Sequence, residues 1–135
     1  MSRAAELLRA SKEGVRLDPA AIARCIDACL SCAQACTACA DGCLAEDNPS
    51  NLAHCIRLDW VCAGACEALT RALSVRAGHT ETLESLLRAS RTACDACAEE
   101  CERHAAHHEH CRISAEECRS CERACEELLA ALASR

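Results

Sequence analysis

Apolar and polar positions along the chain repeat with the spacing of an α-helix, and cysteine, leucine and alanine occupy most of the apolar positions. Helix-forming Ala, Leu, Arg and Glu dominate the composition, and only four glycines and two prolines interrupt it. No stretch shows the strict alternation of apolar and polar residues that is typical of a strand. The pattern therefore predicts an all-α fold.

Residues that start or stop helices divide the chain into segments. A short amphipathic segment covers about residues 3–12 and ends at Gly14. Asp18-Pro19 places a capping residue before a proline at the first helical position, which predicts the start of the first long helix. Asp47-Asn48-Pro49 repeats that signal and predicts the start of the second long helix.

The later boundaries are marked less clearly. Gly78 predicts the end of the second long helix, and Thr80 predicts a cap for the third. The last boundary lies within residues 103–110, because an unbroken helix from 81 to 133 would span roughly 80 Å. Four long helices with short connections predict an antiparallel up-down-up-down four-helix bundle over about residues 18–133. We expect this bundle and the short N-terminal helix to form a single domain over residues 1–135.

The cysteines follow the helical period on all four long helices. On the first long helix they are separated by steps of 4, 3, 4, 3 and 4 residues, which places them on one face. On the second, Asp59 fills the gap on the same face between two cysteines. All four helices are therefore expected to direct cysteine at a common axis, through Cys25, Cys29, Cys32, Cys36, Cys39, Cys43, Cys55, Cys62, Cys66, Cys94, Cys97, Cys101, Cys111, Cys118, Cys121 and Cys125.

Cysteine accounts for 16 of the 135 residues, whereas large apolar side chains are scarce, with no Phe or Tyr and a single Trp. Packing alone gives no reason to prefer cysteine to alanine or valine at so many positions. Disulfides between residues four apart on a helix are disfavoured, because their Cβ atoms lie roughly 5–6 Å apart and a disulfide needs about 3.8 Å. One metal ion can join two sulfurs up to about 4.6 Å apart, so the spacing fits metal binding better.

Charge distinguishes among the metals that thiolates bind. Zinc in four sites of four thiolates would bury a charge of about −8, and no basic residue lies on the cysteine faces. One Cu(I) per thiolate gives a neutral core, which favours Cu(I). A zinc or general thiolate metal buffer and a cysteine-based redox or iron–sulfur protein remain as alternatives. Redox catalysis is disfavoured because the Cys-x-x-Cys pairs lie in mid-helix, and we do not expect an enzyme.

Charge and composition also limit the possible partners and location. The net charge of −6 and the lack of aromatic residues apart from Trp60 argue against nucleic-acid binding. No stretch approaches 18 uncharged apolar residues, so we expect no membrane span. The first residues are charged throughout and lack the apolar core of a signal peptide, which predicts a cytoplasmic protein with reduced thiols.

The cysteine motifs resemble those of the bacterial copper storage proteins, which are four-helix bundles lined with cysteine. The resemblance covers residues 18 to 133 and rests on the ladder from Cys25 to Cys43, Cys62-x-x-x-Cys66, Cys94-x-x-Cys97-x-x-x-Cys101 and Cys118-x-x-Cys121-x-x-x-Cys125. The lack of a visible export signal makes the chain look like the cytosolic branch of that family. The resemblance implies a homotetramer whose subunits each store many Cu(I) ions and limit copper toxicity. Apolar residues beside the cysteine faces, such as Leu30 and Val61, fit either subunit contacts or packing within one bundle.

The two ends of the predicted bundle differ in chemistry. His104 and His108 continue the cysteine spacing across the last turn, so we predict them as metal ligands at one end, with His107 as the alternative. Asp59 is predicted as an accessory group at the wall of the metal site. We expect Cu(I) to enter at the end that carries His104 and His108. The opposite end gathers apolar residues, which offer a metal ion no ligand: Ile22, Leu69, Leu73, Leu83, Leu87, Leu128, Leu129 and Leu132.

Overall fold

The computed structural model describes residues 2–11, 17–75 and 78–134. These residues form the helices α1 (Ala4–Ala10), α2 (Pro19–Leu44), α3 (Ala53–Ser74), α4 (Thr80–His104) and α5 (Glu109–Ala133), with a 3-10 turn at Pro49–Leu52. No strand occurs in the described ranges, which confirms the all-α prediction. Within those ranges, each helix is too short or too polar to cross a lipid bilayer.

The four long helices surround a common axis. Each packs against the next along the chain, and α5 returns to pack against α2. Short connections between consecutive helices make the arrangement antiparallel, so the predicted up-down-up-down bundle is confirmed. The short α1 packs against α2, where Leu8 is buried and the Ser2 hydroxyl donates a hydrogen bond to the Asp27 carboxylate.

The start of α2 agrees with the sequence pattern, but the start of α3 does not. The Asp18 carboxylate accepts a hydrogen bond from the backbone N–H of Ala20 at 3.1 Å. Pro49 begins the 3-10 turn instead of the second long helix, and α3 starts only at Ala53. The side chain of Asn48 accepts a hydrogen bond from the Ser50 hydroxyl at 2.9 Å and caps no helix.

Two further boundary predictions were wrong, and a third lies outside the described residues. α3 ends at Ser74, whereas Gly78 lies in the connection with a φ of 83°, so its conformational freedom serves the turn. His79, not Thr80, is the residue that precedes α4, and its side chain makes no cap. Residues 12 and 14, where the N-terminal segment was predicted to end, are not among the described residues.

Candidate metal centre

The side chains of the sixteen cysteines line the axis of the bundle, and each is at most 1% exposed. Sulfurs on different helices lie close together, at 3.6 Å between Cys29 and Cys121 and at 3.7 Å between Cys32 and Cys62. Along α2, the sulfurs of Cys32 and Cys36 are 3.9 Å apart. These are contacts between free thiols, and they lie within the span of about 4.6 Å that one metal can bridge.

The sulfurs converge into groups whose ligand atoms all lie within 4.8 Å of one another. Cys32 belongs to two of these groups and Cys39 to two others. A group of three, Cys36, Asp59 and Cys97, shares a residue with each of the two pairs, so the groups form a connected series rather than separate sites. Shared thiolates that bridge neighbouring metal ions are typical of Cu(I). The groups of four are Cys32, Cys66, Cys94 and Cys121; Cys32, Cys36, Cys62 and Cys118; Cys39, Cys43, Cys55 and Cys111; and Cys39, Cys55, Asp59 and Cys101.

Asp59 lies on the inner face of α3 and is fully buried, in the position that the cysteine spacing predicts. Its Oδ1 lies 3.2 Å from Sγ of Cys97 and 3.4 Å from the Ser114 hydroxyl, and both groups can donate to it. Burial raises the pKa of Asp59 from 3.8 to about 8, and negative charge on the sulfurs of Cys101 or Cys36 acts in the same direction. In the metal-free protein, this acid is therefore largely protonated at neutral pH.

His110, in the first turn of α5, contacts the last thiols of the series. Its Nδ1 lies 3.5 Å from the Sγ atoms of Cys39 and Cys111 and 3.9 Å from Sγ of Cys43. A quarter of its side chain is exposed, so the ring lies between the thiols and solvent. We call the region of Cys39, Cys43, Cys111 and His110 the histidine end. A neutral imidazole nitrogen in this position can act as a ligand to a soft metal ion.

His104 and His108 lie near the same end, but their ring nitrogens contact carboxylates. Nε2 of His104 lies 2.9 Å from Oε2 of Glu100, and Nδ1 of His108 lies 2.7 Å from Oε2 of Glu46. The predicted continuation of the cysteine spacing was wrong, because α4 ends at His104 and His108 precedes α5. The structure thus brings His110 to the thiols instead. His107, the predicted alternative, lies in the connection between the two helices.

A leucine cluster closes the opposite end of the bundle, as predicted. Its members are buried side chains from all four long helices: Ile22, Leu69, Leu73, Leu83, Leu87, Leu128 and Leu132. Leu129 is partly buried and packs against the same core. We call this cluster the leucine end. Leucine and isoleucine offer no lone pair to a metal ion, so these residues stabilise the fold by burying apolar surface.

One sequence signal could have identified His110. His110, Ser114 and Cys118 are separated by steps of four residues, which places them on one face of a helix. That signal is usable only once the start of α5 is known, because the preceding turn interrupts the helical period. Glu46, by contrast, follows α2 in a connection and meets His108 and His110 only in three dimensions. Its role had no sequence signal.

Comparisons with known proteins agree with this geometry. A family model described as "Csp: Copper storage protein" matches residues 18–130. The chain is 50% identical to the copper storage protein Ccsp from Streptomyces lividans, solved with 10 copper equivalents, with a TM-score of 0.91 over 94% of this chain and 98% of that one.

Two further solved structures are similar. A cytosolic copper storage protein from Streptomyces lividans, loaded with five coppers, is 54% identical over 82% of this chain and 93% of that one, with a TM-score of 0.81. The Cu(I)-bound copper storage protein BsCsp3 is 33% identical over 76% of this chain and 92% of that one, with a TM-score of 0.67. Both similarities extend over most of the bundle.

Proposed function

The chain belongs to the copper storage protein family, and on that basis we propose that its sixteen core cysteines hold the stored Cu(I) and that copper reaches them beside His110. As a member of this family, the protein binds and stores Cu(I). The observation that carries the proposal is the connected series of buried sulfurs, in which every group draws on more than one helix. Such a series can accept many ions without creating an isolated buried charge.

Charge balance sets the expected capacity. Burial raises the pKa of the Cys43 thiol to about 12, so this thiol is neutral at physiological pH before metal arrives. Each Cu(I) that binds one thiol releases one proton, and the product, a copper thiolate, is again neutral. We therefore expect roughly one Cu(I) and one released proton per cysteine, with a small excess of copper where His110 adds a ligand.

Asp59 and His110 supply different donors to the same series. The carboxyl oxygens of Asp59 are hard donors, which bind Cu(I) weakly, so we assign Asp59 an accessory role beside Cys97 and Cys101. Nδ1 of His110 is a better ligand, and a quarter of the His110 side chain is exposed whereas the cysteines and Asp59 are buried, so we assign His110 to the first step of uptake. His104 and His108 are assigned no direct bond to copper, because their nitrogens contact Glu100 and Glu46.

Anaerobic titration of the reduced protein with Cu(I), with metal counting and proton release measured together, tests the proposal. We expect saturation at about 16 Cu(I) per chain, or slightly above, with one proton released per thiol occupied. Saturation near four metal ions would contradict the proposal and indicate sites of four thiolates each. Zinc retained in equimolar competition against Cu(I) would indicate a zinc buffer, and iron–sulfur absorption in the purified protein would indicate an electron carrier.

Three further properties are part of the proposal. The protein stores copper without catalysing a reaction, in line with the burial of its thiols. It acts in the cytoplasm, as the related Streptomyces lividans protein is described as cytosolic. It assembles as a homotetramer, for which the exposed Leu30, Trp60 and Val61 supply apolar surface, and sedimentation of the metal-free protein would measure its mass.

A further inference from the structure

The imidazole of His110 is contacted on both of its nitrogens. Nδ1 faces the sulfurs of Cys39 and Cys111 at 3.5 Å, while Nε2 lies 3.3 Å from Oε2 of Glu46. A neutral imidazole carries a proton on one nitrogen and a lone pair on the other. The group that accepts the proton on one side therefore determines whether the other side can bind a metal ion.

Glu46 is itself held in a defined position at the end of α2. Two residues after Leu44, the last residue of α2, its backbone N–H donates to the carbonyl of Cys43 at 3.3 Å. The same Oε2 that faces His110 also lies 2.7 Å from Nδ1 of His108. The rings of His108 and His110 stack with centroids 5.4 Å apart and planes 18° apart. One carboxylate oxygen thus accepts from two stacked imidazoles.

Gly42 provides the space in which the His110 ring lies. A Cβ atom added at Gly42 would come within 2.9 Å of Cγ and Cδ2 of His110, closer than side-chain carbons approach one another in folded proteins. Gly42 and Glu46 are one helical turn apart in the sequence, so one stretch of chain both admits the ring and holds its outer nitrogen.

We propose that Glu46 is a positioning residue for copper uptake: it accepts the Nε2–H of His110 and leaves the Nδ1 lone pair directed at the thiols of Cys39 and Cys111. This inference rests on the proposed function, in which Nδ1 of His110 is the first ligand. With the opposite tautomer, Nδ1 would carry a proton and could not bind Cu(I). Carboxylates that accept the second N–H of a ligating histidine fix its tautomer and orientation in many metal sites.

Glu46→Ala tests this inference against three matched variants. We expect the rate of Cu(I) uptake from a chelator to fall about 10-fold while capacity stays unchanged, the usual scale for removing such a partner. Glu46→Gln keeps a carbonyl oxygen that can accept the Nε2–H, so it should load at close to the parent rate. Asp47→Ala removes the same charge from the next residue and should have no effect. Gly42→Ala should slow uptake, because its Cβ displaces the ring.

Nitrogen NMR of the metal-free protein gives a second measurement. The parent and Glu46→Gln proteins should show His110 with its proton on Nε2, whereas Glu46→Ala should show a mixture of tautomers. A general loss of structure would not produce that change at one ring, and circular dichroism of each variant checks the fold.

His110→Ala separates failure of this inference from failure of the proposed function. If His110→Ala loads slowly but Glu46→Ala loads at the parent rate, the positioning role is wrong and the proposed route of uptake stands. If His110→Ala itself loads at the parent rate, the assignment of His110 as first ligand is wrong. When both variants are slow, adding Glu46→Ala to His110→Ala should cause no further slowing, and an additional loss would show that Glu46 acts independently of the ring.

Discussion

The histidine end and the leucine end are built from the same four helices, yet their inner faces carry opposite chemistry. At the histidine end, the inner positions hold Cys39, Cys43 and Cys111, followed by an imidazole that reaches solvent. At the leucine end, the corresponding positions hold Leu69, Leu87 and other branched side chains that are buried but bind no metal. The bundle thus separates the side chains that stabilise it from those that bind its cargo.

This separation has a physical reason. A thiol buries less apolar surface than a leucine, so a tube lined with cysteine contributes less stability per position. The leucine end supplies the larger side chains, and together with helix propensity it should keep the metal-free protein folded. A zinc finger, by contrast, depends on its metal to fold.

The largest effect expected from this comparison is on the stability of the metal-free protein. Leu87 and Cys94 both lie on α4 and are both fully buried. Leu87→Ala should lower the free energy of unfolding by about 2–5 kcal/mol, because it leaves a cavity in the apolar cluster. Cys94→Ala removes one sulfur and should cost about 1 kcal/mol.

Urea unfolding of both reduced, metal-free variants measures this difference, with circular dichroism confirming near-full helix content at the start. Equal losses from the two variants would show that the thiols stabilise the empty bundle as much as the leucines do. A metal-free parent protein without helical signal would contradict the comparison altogether.

The repeating part of this arrangement was predictable from sequence. Steps of three and four residues place side chains on one face of a helix whatever the partner helices are, so the positions from Cys25 to Cys43 and of Asp59 followed directly. The leucine end followed from the same period. The structure buries the cysteines and the leucine-end residues, as the period predicts, and it buries Asp59 completely, at 0% exposure.

The ends of the helices were less predictable, because a turn interrupts the helical period. In the sequence, the spacing from Cys101 continues through His104 and His108, but α4 stops at His104 and the chain reverses before α5. Which imidazole faces the thiols then depends on where α5 starts, and the four-residue spacing of His110, Ser114 and Cys118 is informative only once that start is known. Glu46 was missed because its partners, His108 and His110, lie more than sixty residues away in the sequence.

A second prediction concerns pH and Asp59, the buried acid within the thiol lining. Its pKa is raised from 3.8 to about 8 by burial, so the folded protein holds this proton through a range in which the unfolded chain has lost it. The contribution of Asp59 to the stability of the metal-free protein should therefore fall as pH rises from about 4 to about 8, by at most about 5 kcal/mol. The titratable groups that face Asp59 are the thiols of Cys36, Cys39, Cys55, Cys97 and Cys101.

Asp59→Asn isolates this contribution, because asparagine has a similar shape and does not titrate. Subtracting its pH profile of unfolding free energy from that of the parent protein removes the contribution of all other groups. This difference in unfolding free energy, parent minus Asp59→Asn, should fall as pH rises from about 4 to about 8. A flat difference would mean that Asp59 is ionised in the folded protein despite its burial.

The smallest expected effect distinguishes two histidines that the sequence pattern treated alike. His104 contacts Glu100 on its own helix, at 2.9 Å, and its removal should leave the rate of Cu(I) uptake within about 2-fold of the parent rate. His108 stacks on His110 and shares the Glu46 oxygen, so His108→Ala should slow uptake by a few fold. The effect should be smaller than that of Glu46→Ala, because His110 keeps its own contact with Glu46. Stopped-flow loading of the two variants from one Cu(I) chelator makes the comparison. If His104→Ala slows uptake as much as His108→Ala does, copper is recognised by the whole polar rim of this end, and the path through a single oriented imidazole is wrong.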